Sequence, residues 1–102
     1  MICVIATVSL KEGKKDAYLA ELWKIIPAVR EENGCIEYAP YVRNDSGLPL
    51  PPVLSEDTVI VIEKWESMNA LRMHGQTAHM DRYRQSIKGL MVSAQIQVLS
   101  PV

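Results

Sequence analysis

A chain of 102 residues has room for one hydrophobic core, so a single domain over residues 1–102 is expected. The formal charge of −1, with no basic cluster longer than Lys14-Lys15, excludes a nucleic-acid partner and an anionic membrane surface. Apolar residues reach 48%, high for so small a body, and part of that surface is expected to be covered by a second subunit.

The start, Met1-Ile2-Cys3-Val4-Ile5-Ala6, has no basic leader, and no apolar run approaches the roughly 18 to 20 residues of a bilayer span. A soluble cytoplasmic protein with no membrane partner is the expectation. Cys3 and Cys35 have neither metal-ligand spacing nor disulfide density and read as small buried hydrophobes.

Ile2 to Ser9 is apolar or β-branched on both parities, which predicts a central strand covered on both faces. Gly13 ends it. From Lys14 to Glu32, Tyr18, Leu22, Ile25, Ile26 and Val29 recur at helical spacing, with Leu19 and Trp23 as a second apolar pair beside that stripe. Pro27 lies inside this helix and predicts a kink there. Asn33-Gly34 is its stop.

Cys35 to Val42 reads as a strand pushed toward a sheet edge by Pro40. Arg43 to Asp57, with Asn44-Asp45-Ser46-Gly47, Pro49, Pro51 and Pro52, is loop chemistry, but Leu48, Leu50, Val53 and Leu54 make it apolar enough to pack on its own or a neighbouring subunit. Thr58 to Glu66 predicts a second buried strand, with Val59, Val61, Glu63 and Trp65 on one face. Ser67 caps a short helix to His74, and Thr77 caps another to about Lys88 with Met80, Tyr83, Ile87 and Leu90 as its stripe. Val92, Ala94, Ile96 and Val98 alternate with Ser93, Gln95 and Gln97, the pattern of a strand buried on one face.

The order β-α-β-β-α-β predicts an α+β fold of ferredoxin-like type, an antiparallel sheet with its helices on one face. Strands apolar on both faces then predict that the open face meets a second copy, giving a dimeric α+β barrel.

The run Gly34-Cys35-Ile36-Glu37-Tyr38, followed by Glu63-Lys64-Trp65-Glu66-Ser67, Ala70-Leu71, His74 and Thr77-Ala78-His79-Met80, resembles the antibiotic biosynthesis monooxygenase family, particularly its small quinol-monooxygenase-like members. The resemblance implies a homodimer and, in some members, oxygenation of phenols or quinols by O₂ with no metal, flavin or other cofactor. Haem-degrading relatives use a strand-one asparagine where this chain has only Ala6, Thr7 and apolar neighbours, and polyketide-oxidising relatives place an asparagine where Val61 stands. Neither set of contacts transfers.

Histidine is the side chain whose ordinary pKa suits proton abstraction near neutrality, so His79 is the first candidate base and His74 the second. Their spacing of five would point them apart on an unbroken helix; a kink at Gly75 would let both line one pocket. Surface or structural histidines are the plain alternative. Trp65, Tyr83, Met80 and Glu63 are the candidate substrate contacts, with core packing as the competing role for the first three. A buried Glu63 calls for a charge partner: Arg72, Arg82, Arg84 or a charge from a second subunit. Three functions fit: a cofactor-independent monooxygenase of a small aromatic quinol; a proton-shuttling isomerase of a ketone, with Arg72 or Arg82 at the mouth if the substrate is phosphorylated; and a non-catalytic small-molecule-binding dimer.

Overall fold

The alternation of the first strand decides which face of the sheet becomes core. In the computed structural model, which describes residues 1–45, 47–48 and 50–102, β1 (Ile2–Leu10) buries Ile2, Val4, Ala6, Val8 and Leu10 and leaves the odd residues half-buried. The even face lies under the helices.

The order is β1, α1 (Lys15–Arg30), β2 (Cys35–Tyr41), β3 (Thr58–Trp65), α2 (Met68–Gly75), α3 (Ala78–Ile87) and β4 (Met91–Leu99). The four strands form one sheet in the order β2-β3-β1-β4, every pairing antiparallel. This is the ferredoxin-like α+β arrangement that the pattern predicts.

All five stripe residues of α1 are buried, with Tyr18, Leu22, Ile26 and Val29 fully enclosed. Burying such side chains contributes about 1.5–3 kcal/mol each, which is what holds α1 on the sheet. Pro27 sits on the exposed side and α1 remains one continuous helix across it. Of the second pair, Leu19 packs at the core margin, while Trp23 stays half exposed with the Arg30 guanidinium 5.6 Å above its ring.

After α1, Gly34 takes φ +88°, a conformation that favours glycine, and its carbonyl accepts the Glu66 N–H at 2.9 Å. A Cβ built there would stand 2.6 Å from the Ala70 Cβ, so only glycine lets this turn close onto α2. The approach carries Glu32 up to the end of α2. The sequence marks Gly34 as a helix stop and as the start of the run Gly34 to Tyr38, but gives no sign of this close approach to α2.

The last strand departs from expectation. Ile96 and Val98 have the predicted parity, opposite Ala6 and Val4, yet they are 67% and 48% exposed. β4 is an edge strand, and the helices make their main strand contacts with β2 and β3, at the other side of the sheet. Val92 falls at the register shift between Ser9 and Leu10 and is also exposed.

The end of the long loop is tied down by Glu56, which takes ion pairs from Lys15 and Arg43, and by Asp57, whose carboxylate accepts the Gly13 N–H at 3.1 Å. Leu48, Leu50 and Val53 in it are exposed in the single chain. Ser46 and Pro49, expected in this loop, lie outside the described residues. Among the described residues, no helix is long and apolar enough to cross a membrane.

Candidate functional site

Between the helix-facing side of the sheet and α2 and α3 lies a cavity of about 310 Å³. Its floor is Val4, Ala6 and Val61, with Tyr38 and Glu63 paired beside them in register; its roof is His74, Met80 and Tyr83. Ala94 and Ile96 border it on the β4 side, where the sheet runs out from under the helices. The walls are mainly aliphatic, with a few convergent polar groups, the usual make-up of a small-molecule site.

Two caps bring the histidines together. Ser67 Oγ accepts the Ala70 N–H at 3.1 Å to start α2. Thr77 ends it and begins α3: its hydroxyl donates to the His74 carbonyl at 2.9 Å and accepts the Met80 N–H at 3.3 Å. Gly75 remains helical and the chain turns at Gln76-Thr77 instead of at Gly75. That turn brings His79 back over the end of α1.

Glu32 completes the cluster. One oxygen of its carboxylate, Oε2, lies 2.9 Å from His74 Nδ1 and 2.8 Å from His79 Nε2. A carboxylate only accepts, so both ring nitrogens donate to it. In His74 the proton is thereby placed on Nδ1, and Nε2 keeps its lone pair. Nε2 has no protein partner among the described residues, and His74 is one of the residues lining the cavity. The ring is held between Trp65, at a centroid distance of 4.7 Å, and Tyr38, at 5.6 Å.

His79 is not among the lining residues, and Glu32 opens onto a separate surface groove of about 480 Å³ on the outer side. The two candidate bases thus meet on one carboxylate, with only His74 at the cavity. Sequence reading missed Glu32, because the last turn of an amphipathic helix with a neighbouring Glu31 gives no sign that one carboxylate is functional.

Trp65 is fully buried one layer behind the wall, and its indole N–H donates to Glu63 Oε1 at 3.0 Å. Glu63 lines the cavity without a cation: the expected pairing with Arg72, Arg82 or Arg84 is absent, since β3 points Glu63 under the helices and those arginines are exposed on α2 and α3. Burial pushes its pKa up to about 7, against the opposing indole hydrogen bond. Of the arginines only Arg84 borders the cavity, its Nη2 donating to the Gly75 carbonyl at 2.7 Å and its Nη1 to Asp81 at 3.0 Å.

Tyr83 and Met80 both line the cavity. The Tyr83 hydroxyl lies 2.5 Å from the Tyr18 hydroxyl across the α1–α3 contact, and the Tyr38 hydroxyl has no protein partner among the described residues. Burial raises the pKa of all three phenols. Burial lowers that of His74, opposed by the hydrogen bond and charge of Glu32, so the imidazole is neutral at neutral pH. The lining therefore combines a neutral base, neutral phenols and a carboxyl near its midpoint. Cys35, half-buried with its thiol pKa raised by burial, stands off the cavity and is a poor nucleophile.

Comparison with known proteins agrees with this architecture. The family model described as antibiotic biosynthesis monooxygenase matches residues 1–86. The chain is 36% identical over 103 residues to the Escherichia coli K12 protein named probable quinol monooxygenase YgiN, covering 99% of this chain and 98% of that one. The crystal structure of SO0527 from Shewanella oneidensis, 29% identical, superposes with a TM-score of 0.78 over 97% of this chain and 92% of its own. That of PA3566 from Pseudomonas aeruginosa, 24% identical, reaches 0.82 over 99% and 93% and shares the fold. The chain belongs to the antibiotic biosynthesis monooxygenase family.

Proposed function

We propose that this protein is a cofactor-independent monooxygenase that oxidises a small aromatic quinol or phenol with O₂. The observation that carries it is the unprotonated Nε2 of His74 at a mainly apolar cavity, its tautomer set by Glu32. The relative named as a quinol monooxygenase supports the substrate class.

His74 Nε2 takes the proton from a substrate hydroxyl, and the Tyr38 and Tyr83 hydroxyls hold the oxygens. The resulting electron-rich ring carbon bonds to O₂, and the imidazolium returns its proton to the peroxide formed. The O–O bond then breaks as the ring carbon loses its hydrogen, with Glu63 positioned to accept it. One oxygen stays on the product as a carbonyl and the other leaves as water, so a hydroquinone plus O₂ becomes a hydroxyquinone plus water. All four electrons come from the substrate. The dry walls protect the anion from reprotonation.

The same reading includes a homodimer. Exposed Ile96 and Val98, on one face of the edge strand, are apolar surface that a second copy would cover, closing the cavity at its β4 border. The two free cysteines suit a reducing cytoplasm. A phosphorylated ketone is disfavoured as substrate because Arg72 and Arg82 do not line the cavity.

The test is turnover of a hydroquinone panel under ¹⁸O₂. The proposal expects one labelled oxygen per product and O₂ consumed one-to-one. Label recovered as hydrogen peroxide, with none in the product, refutes it.

A further inference from the structure

A second chemistry is built into the back of the same wall. Glu32, from the end of α1, His74, from α2, and His79, from α3, present three ligand atoms that all lie within 4.8 Å of one another. We propose that these three side chains form a binding site for one divalent transition-metal ion of the zinc class, entered from the outer groove and separate from the substrate cavity.

The donor set comes first. Two imidazoles and one carboxylate are the ligands that zinc, cobalt, nickel and ferrous iron share, and that magnesium and calcium do not favour. The distances fit as well. Ligand atoms about 2.1 Å from one tetrahedral ion stand roughly 3.4 Å apart. The two carboxylate-to-imidazole separations are 2.9 and 2.8 Å and all three atoms lie within 4.8 Å of one another, so the ion enters by opening the two hydrogen bonds through side-chain adjustment.

The surroundings are preorganised. Trp65 and Tyr38 clamp the His74 ring, and Thr77 fixes the backbone turn between the two histidines. The His79 and Glu32 side chains are 17% and 12% exposed, open enough for an ion to enter. Glu32 itself borders the outer groove, beside Asn33, Glu66 and Thr77, which leaves the remaining coordination positions to water.

Occupation has a consequence at the cavity. A neutral imidazole that gives its Nδ1 lone pair to a metal must carry its proton on Nε2. The ion would convert the cavity-facing nitrogen of His74 from acceptor to donor. Metal binding and base catalysis by His74 therefore exclude each other. This corollary rests on the proposed oxygenase reading; the site does not.

The test uses chelator-stripped full-length protein titrated with Zn²⁺ or Co²⁺ by calorimetry, with Mg²⁺ as the hard-ion control. One equivalent per chain is expected, with a melting temperature that rises with Zn²⁺ concentration. In ¹⁵N NMR, His74 Nε2 should change from unprotonated to protonated on adding Zn²⁺. Glu32→Gln keeps an acceptor for both imidazoles, and His79→Gln removes one ligand; each should weaken Zn²⁺ binding at least tenfold while the metal-free melting temperature stays close to that of the wild type. Absence of saturable binding, binding unchanged in both variants, or equal affinity for Mg²⁺ overturns the site. A protein that binds Zn²⁺ through the triad yet oxidises no quinol supports the site and refutes the oxygenase reading instead.

Discussion

Replacing Glu63 by glutamine tests the electrostatics of the cavity floor. The carboxyl is buried with no cation, and its pKa is pushed from an ordinary 4.5 to about 7. A folded-state pKa above the unfolded value means that the folded protein holds the extra proton between those limits. The contribution to stability is thus fully present below about pH 4.5 and is lost as pH rises through about 7. A shift of roughly 2.5 units corresponds to about 3 kcal/mol. Glutamine keeps an oxygen for the Trp65 N–H and does not ionise. Relative to Glu63→Gln, the wild type should therefore lose about 3 kcal/mol between pH 4.5 and pH 8, on the order of 10 to 20 °C in Tm for a domain of this size. Urea titrations of both proteins at four pH values, in EDTA and at one fixed protein concentration, give that difference. His74 titrates in both and cancels. A difference independent of pH, or one growing in the opposite direction, refutes the assignment.

Gly34→Ala should destabilise the fold by at least about 2 kcal/mol, because a Cβ there meets Ala70 at 2.6 Å in a backbone conformation unfavourable to alanine; adding Ala70→Gly should recover the clash part only, as read by Tm. Tyr18→Phe leaves the half-buried Tyr83 hydroxyl without its partner and should cost about 1 kcal/mol in a urea titration, with Tyr83→Phe costing no further amount on top. The lowered pKa of His74 adds an acid limb: the stability of the neutral imidazole is present above its ordinary 6.5 and lost as pH falls through the lower folded value. Comparison of wild type with His74→Gln between pH 7 and pH 5 should show that loss.

The sheet and the helices are legible in the chain because period carries them: the stripe from Tyr18 to Val29 and the alternation from Val59 to Trp65 are buried as spaced. Ile96 and Val98 alternate just as clearly and are exposed in the single chain, since alternation reports which face is apolar and not whether anything covers it. His74 and His79 are visible as residue types, but their ranking depended on a turn whose position Gly75 did not mark. Thr77 marks it, through hydrogen bonds on both sides. Glu32 is silent in the sequence because its partners are 42 and 47 residues away, brought to it by the Gly34 turn. Glu63 was expected to find a cation and instead found an indole two residues along its own strand.

The most direct measurement for the central claim is kcat/KM for oxygen-dependent quinol turnover in His74→Gln set against His79→Gln, both in EDTA. The arrangement predicts a loss of about 10² to 10⁴ for His74→Gln, the range of a lost general base, and less than about tenfold for His79→Gln, which leaves Glu32 on His74 Nδ1. Equal losses in the two variants, or the larger loss in His79→Gln, would contradict the assignment of the base to His74.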